Sequence, residues 1–459
     1  MDDWATLEFA ELDMPDQRLK KRAVQLLEDL VKHPESTIPT ACGDWAGAKA
    51  AYRFFDNDRV SADAIRQAHA QQTAQRVQDQ AWVLLLQDTT GMDFTAHRAT
   101  QGLGMMDNKW VRGLKVHSVL AASTEGVPQG VVYQEVWARD DRQRGKRHRR
   151  RALPIQQKES MRWVRSLERS RAVVPASVTT VTVADREADI YEVFAAPRSG
   201  PAGSSHLLIR AAQDRRVSTS QQYLWDSVRA ARSCGTMTAE IGRSGNRVAR
   251  QAKLRLRHRR VELLAPRHRT GAATGEPVVV TAVLAEEIKA PKGEKRVSWL
   301  LLTTLEVRWC EDAARCVRWY SYRWLVERYH FVLKSGCQVE QLQLETADRL
   351  ERALAMYSMV AWRLLWLMYE SRVRPEESCE VALGRTEWQA LYATTHKTAG
   401  VPSEPPTLRE AVRWIAQLGG LVARKGDGHP GVKTIWRGWM RLIDIAATCR
   451  LLRPDVGNG

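Results

Sequence analysis

The sequence predicts an α/β protein in which a β-sheet core lies between helical regions, and three observations predict it. Two strand-like runs, the continuously apolar Ala81–Asp88 and the β-branched Val178–Asp185, each stop at an aspartate, the second directly before a helix signal. Residues from about 212 to 304 alternate apolar and polar positions, as strands do. Both ends of the chain instead space their apolar residues at helical intervals.

Composition narrows the partners. At 459 residues, with roughly 150 per domain, the chain has room for two to four domains. We divide it into an N-terminal helical region (1–70), a central domain (71–370) and a C-terminal helical region (371–459). An excess of 70 Lys and Arg over 53 Asp and Glu leaves a charge of +17, which favours polyanions. No apolar run reaches the roughly 18 residues that span a bilayer, and the acidic start of the chain lacks a signal core. The seven cysteines include no CxxC pair. These features imply a soluble, reduced, cytoplasmic protein with no structural zinc, no membrane partner and a nucleic acid as its favoured ligand.

Taken in order, Asp16 is a candidate N-cap for a helix carrying Leu19, Ala23, Leu26, Leu27 and Leu30 on one side. Arg18, Lys20, Lys21 and Arg22 crowd its first turns. Cations there oppose the helix dipole, so an external anion accounts for them better than self-stabilisation. A second short helix presents Lys49, Tyr52 and Arg53. The candidate DNA contacts of this lobe are therefore Arg18, Arg22, Lys49, Tyr52 and Arg53, and the alternative is a merely solvated basic face. After the strand ending at Asp88, Lys115–Ser123 and Gln129–Ala138 read as antiparallel neighbours. His117 reads as a packed strand residue rather than a base. Arg142, Arg144, Lys146, Arg147, Arg149, Arg150 and Arg151 form the densest cationic cluster, suited to phosphate contact, with a solvated loop as the alternative. A helix is expected over Glu159–Arg169, and His206–Arg210 as the last strand of the sheet. Helices follow over Tyr320–Lys334, Leu350–Glu370, Thr407–Leu418 and Thr434–Leu452.

The helix Tyr320–Lys334 carries a pattern. At about 100° per residue, Tyr320, Arg323, Glu327 and Lys334 fall within a stripe about 60° wide. One carboxylate, two cations and a phenol on one face suit a metal ion and phosphates; the bland alternative is a solvated face with an Arg323–Glu327 pair. Asp88 and Asp185 have bland readings too, as a turn former and a helix cap. Together, however, Asp88, Asp185 and Glu327 supply three hard oxygen donors, the arrangement that holds two divalent cations for phosphoryl transfer.

These residues also carry a resemblance. QDTT around Asp88, DREADIYE around Asp185 and the spacing Tyr320-x2-Arg323-x3-Glu327-x6-Lys334 resemble the DDE transposases of the IS4 family, whose YREK signature is intact here. GDWAGAKAAYRFFDN, VSADAIRQAH, GLKVHSVLAA, AVLAEEIKAPKGEKRVSWLLLTT and LERALAMYSMVAWRLLWL match in order, from about residue 10 to about 370. Residues from about 380 to 406 match nothing in that pattern.

The resemblance implies an RNase H-like catalytic core. Because 142 residues separate Asp185 from Glu327, the β-rich stretch of about 212 to 304 would be an insertion within that core. It further implies that Asp88, Asp185 and Glu327 bind two Mg²⁺ ions, with Mn²⁺ as a substitute. Tyr320, Arg323 and Lys334 would hold phosphates, with Arg210 as a further candidate, and such contacts position the backbone without reading sequence. Trp299 would stack on a flipped-out base of a DNA hairpin, a role that aromatic stacking supports with roughly 1–3 kcal/mol. The implied activity is cut-and-paste transposition: binding of the element's terminal repeats, strand cleavage, hairpin formation and opening, and joining of the 3′ ends to target DNA. The implied assembly is a homodimer on double-stranded DNA, formed through the C-terminal helices in a bacterial, nucleoid-associated setting. Two rival classes are a nuclease that cuts without joining and a catalytically silent DNA-binding regulator. Inverted repeats flanking the gene would favour the mobile element.

Overall fold

Among the described residues, ten strands form one sheet. In chain order they are β1 (Trp82–Asp93), β2 (Gly104–Met105), β3 (Arg112–Ala122), β4 (Pro128–Trp137), β5 (Thr179–Ala184), β6 (Ser205–Arg210), β7 (Gly235–Ile241), β8 (Arg250–Leu263), β9 (Val278–Glu287) and β10 (Ser298–Thr303). β3 lies antiparallel to β1 and carries β4 and the short β2 antiparallel to itself. On the other side of β1 come β5 and β6, both parallel to it in sequence of pairing. β10, β9, β8 and β7 then continue the sheet with antiparallel pairings. The computed structural model describes residues 4–141, 153–196, 204–217, 223–242, 250–265, 276–422, 424 and 428–452. The cationic cluster from Arg142 to Arg151 lies outside the described residues.

Two expectations about strands are corrected. His206–Arg210 is not the last strand, because β10 pairs with β6 and brings the whole β-rich stretch into the same sheet. An open β6 would have left a row of unpaired backbone groups at its edge; instead Thr303 also donates its hydroxyl to the Leu207 carbonyl at 2.6 Å. Nor does β1 stop at Asp88. It pairs with β5 only from Trp82 to Leu86 but follows β3 as far as Asp93, so Asp88 sits within a strand and is no turn former.

The helices are α1 (Trp4–Glu8), α2 (Gln17–Lys32), α3 (Ile38–Ala41), α4 (Trp45–Asp56), α5 (Ala62–Val77), α6 (Met161–Val173), α7 (Tyr191–Ala195), α8 (Leu224–Arg229), α9 (Cys310–Ser321), α10 (Trp324–Phe331), α11 (Ala347–Val373), α12 (Arg385–His396), α13 (Leu408–Leu418) and α14 (Val432–Leu452). Asp16 caps α2, its carboxylate accepting the Arg18 amide at 2.8 Å. α11 is apolar nearly all round, and such a helix must be buried on all sides. It runs through one continuous core that gathers Leu26 and Leu27 of α2, Leu84 and Leu86 of β1, and Trp436 and Trp439 of α14. The Trp439 indole donates to the Val31 carbonyl at 3.1 Å, tying the two ends of the chain. The boundaries at 70 and 370 fall inside α5 and α11, so the chain is not broken there. None of the described helices is long and apolar enough to cross a membrane.

Side-chain alternation divides the sheet into two faces. Leu84, Leu86, Val181, Val183, Leu208 and Leu301 meet the core beneath α9, α10 and α11. Leu207, Ile209, Leu300 and Leu302 meet a second cluster under α6 and α8.

Candidate active site

Register brings the two aspartates level. β1 pairs with β5 so that Trp82 faces Thr179 and Leu86 faces Val183. Carried two residues onward, the same register sets Asp88, inside β1, level with Asp185, which directly follows β5. Both continue the alternation of the apolar residues before them, so both face the α9–α11 side. Asp185 also caps the short turn that follows, accepting the Glu187 amide at 2.8 Å. The capping reading thus holds for Asp185.

Glu327 comes to that face from α10. Its carboxylate lies 2.5 Å from the Arg323 guanidinium. Burial nevertheless raises the Glu327 carboxyl above its ordinary value; Arg323 opposes the shift, while the negative charges of Asp88 and Asp185 add to it. Arg323 reports the same neighbours. Burial lowers it, but Tyr320, Glu327 and Asp88 outweigh burial and hold it above the ordinary guanidinium value.

One long helix over Tyr320–Lys334 is not what forms. α9 ends at Ser321, and bonds spanning three residues (Arg323 amide to Tyr320 carbonyl, 3.0 Å; Leu325 amide to Tyr322 carbonyl, 2.8 Å) tighten the chain before α10. After Phe331 it loosens into a π-helical turn, Val332–Gly336. Overwinding and underwinding of this kind replace the uniform 100° step and are frequent at functional sites. Tyr320, Arg323 and Glu327 still converge. Lys334 instead pairs with Glu340 at 3.4 Å, whose carboxylate also accepts the Asp93 amide at 2.8 Å.

β6 and β10 complete the site. Arg210 continues the alternation of Leu208 onto the same face and donates to the Ser298 carbonyl at 3.2 Å. Burial lowers its guanidinium from the ordinary value; Tyr320 opposes this, and Arg186 and Arg323 add their repulsion. Trp299 is half-buried, edge-on to Tyr320 with ring centroids 5.7 Å apart. The Tyr320 hydroxyl is buried with its oxygen toward the Arg210 guanidinium, and its own proton meets no acceptor. A cluster of cations, a half-exposed indole and an unsatisfied phenol suits an anionic, aromatic-bearing ligand.

Among the described residues, no three His, Cys, Asp or Glu side chains converge closely enough to hold a metal ion as they stand. Glu327 is drawn to Arg323 and Asp185 to the Glu187 amide. The donor set nonetheless fits a hard divalent cation: it offers three carboxylates on one face, and the charges of Asp88 and Asp185 add to the burial that raises Glu327. His330 was not singled out from the sequence. It is buried, its Nδ1 lies 3.5 Å from an Asp88 oxygen and finds no hydrogen bond, and its Nε2 meets the Ser118 hydroxyl at 3.1 Å. Its position three residues after Glu327, on the same helix face, was the available signal. His117 is a packed strand residue as expected: burial holds its imidazole well below the ordinary value.

The N-terminal candidates share no contact with this site. Lys49, Tyr52 and Arg53 stand exposed on one face of α4 with Trp45, which is 79% exposed. Arg18 is exposed on α2, whereas Arg22 is half-buried near Asp29 and Cys42.

Comparison with known families bears on both ends of the chain. Residues 1–60 match the family model described as Transposase DNA-binding. Residues 359–455 match that described as Transposase Tn5 dimerisation domain. Fold, site and matches together define a transposase-like chain. The particular likeness is to the Tn5 transposase, within the IS4 family that the motifs around Asp88, Asp185 and Glu327 resemble.

Proposed function

We propose that this protein is the cut-and-paste transposase of an insertion sequence, with an RNase H-like core formed by β1 and β3–β6. The observation that carries the reading is the β1–β5 register, which carried two residues past Leu86 and Val183 sets Asp88 level with Asp185 on the sheet face that also receives Glu327. The strand directions of this half-sheet, two antiparallel neighbours and then two parallel ones, support the RNase H-like reading.

The residues divide the work by chemistry. Asp88, Asp185 and Glu327 would hold two Mg²⁺ ions, or Mn²⁺ in their stead, which when bound activate water or a 3′ hydroxyl and stabilise the leaving oxygen. Arg323 would exchange its pairing with Glu327 for a phosphate as DNA enters, and Arg210 would fix the neighbouring phosphate. Lys334 would grip the backbone farther along, near the end of β1. The Tyr320 hydroxyl would find in a phosphate oxygen the acceptor it lacks, and the half-buried Trp299 would receive an extruded base. The N-terminal face of Lys49, Tyr52 and Arg53, with Arg18 and Arg22, would bind the terminal repeat. The C-terminal helices would pair two copies across the DNA ends.

The test is Mg²⁺-dependent cleavage of DNA carrying the gene's own flanks, with wild type beside Glu327→Gln. Cleavage at a repeat boundary, lost in the variant while end binding persists, is the expected result. Cleavage by the variant at the wild-type rate would remove Glu327 from the chemistry. Binding without cleavage by either protein would favour a silent DNA-binding regulator.

A further inference from the structure

Two carboxylates on different strands can share an ion only if their spacing is held, and the helix-facing side offers no group that ties them together. The opposite side of the sheet does. Gln87 and Thr89 flank Asp88 and by alternation face α6. The Ser166 hydroxyl of α6 donates to the Gln87 carbonyl oxygen at 3.0 Å. Arg162, one turn earlier on α6, donates Nε–H to the Thr89 hydroxyl oxygen at 2.9 Å and Nη2–H to the Glu187 carboxylate at 2.6 Å. One guanidinium therefore grips the residue after Asp88 and the residue two beyond Asp185. Its third arm donates to the Glu159 carbonyl at 3.1 Å, and its plane lies over the Trp163 ring at 5.2 Å.

The hydrogen bonds around it run in one direction. With its oxygen accepting from Arg162, Thr89 can give its single proton to His117 Nδ1 at 2.8 Å. A neutral His117 then carries its proton on Nε2 and donates to Ser166 Oγ at 3.1 Å, which leaves the Ser166 proton for Gln87. Thr89, His117 and Ser166 each supply one proton, and that of Ser166 has the Trp163 carbonyl at 3.2 Å as a second acceptor. Arg162, His117, Ser166 and Gln87 are all at most 9% exposed, so water cannot replace a missing link cheaply.

We propose that Arg162 is a positioning residue that fixes Asp88 relative to Asp185 and thereby sets the affinity of the aspartate pair for a divalent cation. The proposal rests on the reading of these aspartates as metal ligands. Arg162 touches neither carboxylate and acts through Thr89 and Glu187, the two points of a fork that a lysine ammonium cannot span. Groups that orient ligands in this way typically change metal affinity by 10–100-fold when lost.

The experiment is Mn²⁺ binding to the full, DNA-free chain, followed by the electron paramagnetic resonance of the free ion, with melting of the metal-free protein measured alongside. Arg162→Lys, Thr89→Val and Arg162→Lys with Glu187→Gln are compared with wild type. Expected is a loss of at least tenfold in Mn²⁺ affinity for Arg162→Lys, a similar loss for Thr89→Val, and little further loss in the double variant. Wild-type affinity in Thr89→Val and Arg162→Lys would overturn the proposal. So would weakened binding accompanied by an equal loss of melting temperature without metal, which marks a purely structural role. Should Arg162→Lys fail to fold, Thr89→Val alone decides. A wild-type chain that takes up no Mn²⁺ sinks the metal reading itself, and the brace with it; that outcome is seen in the wild-type arm, before any variant.

Discussion

Arg323 and Glu327 form an ion pair at 2.5 Å across one turn, yet the glutamate is harder, not easier, to ionise than an exposed one. Burial is the largest cause, and the two aspartates reinforce it. A group whose folded-state value lies above its ordinary 4.5 contributes stability that is present below 4.5 and lost as pH rises through the folded value. Glu327→Gln keeps the neutral form at every pH. Its melting temperature should therefore match wild type in acid and equal or exceed it at neutral pH, while cleavage disappears. A fall of several degrees at pH 7 would mean that the countercharge on Arg323 outweighs the aspartates.

Trp299 is half-buried and meets Tyr320 edge-on. Trp299→Ala should spare first-strand nicking and reduce hairpin products by roughly 5- to 150-fold, the equivalent of about 1–3 kcal/mol of lost stacking. Denaturing gels of end-labelled DNA separate the two products, and unchanged hairpin yield would remove the stacking role.

Glu8 is a buried anion at the far end of the chain. Burial opposes its ionisation, but Arg76 and His69 outweigh burial and bring its carboxyl from 4.5 down to about 2. The Arg76 guanidinium reaches it at 3.0 Å, and His69 accepts the Val131 amide on its other nitrogen at 2.9 Å. A lowered value means stability that is present above 4.5 and lost as pH falls toward 2. Glu8→Gln should cost on the order of 3 kcal/mol at pH 7, and the difference from wild type should vanish near pH 2. Denaturant unfolding across that window measures it.

α13 and α14 approach backbone to backbone. A Cβ on Gly438 would lie 1.7 Å from the Ile415 carbonyl oxygen, and one on Gly419 would lie 1.9 Å from that of Thr434. Since neither obstacle is a flexible side chain, Gly438→Ala should cost about 1–3 kcal/mol by forcing the helices apart. Thermal melting reads the cost. If these helices pair two copies, sedimentation of the DNA complex should show dimer formation weakened as well.

On the exposed face of α4, Lys49→Glu with Arg53→Glu should weaken end binding and flatten its salt dependence by about two units of slope if each cation meets one phosphate. Fluorescence anisotropy over a salt series checks this, and an unchanged slope would return the face to plain solvation.

Much of this was legible in the residues. Asp88 and Asp185 announced themselves by ending or interrupting apolar runs, and Tyr320, Arg323 and Glu327 by their helical spacing. Each signal is local, and local patterns survive in a single chain. Arg162 and His330 were not legible. An arginine opening a basic amphipathic helix looks like any solvated cation until the register of β1 turns Thr89 toward it. Lys334 leaves the expected stripe because its angle depended on a helix winding uniformly, and tightening before α10 and loosening after it depend on what the turns pack against.

By itself, the sequence determined the alternation of strand and helix, the sign of the molecule's charge and the three carboxylates, because periodicity and residue chemistry need no partner. Only the tertiary structure decided that the β-rich stretch continues the same sheet, that Asp88 stands level with Asp185, and that α6 ties their neighbours together. Strand register and burial are set by contacts between residues far apart in the chain, and no local pattern encodes which edge will meet which.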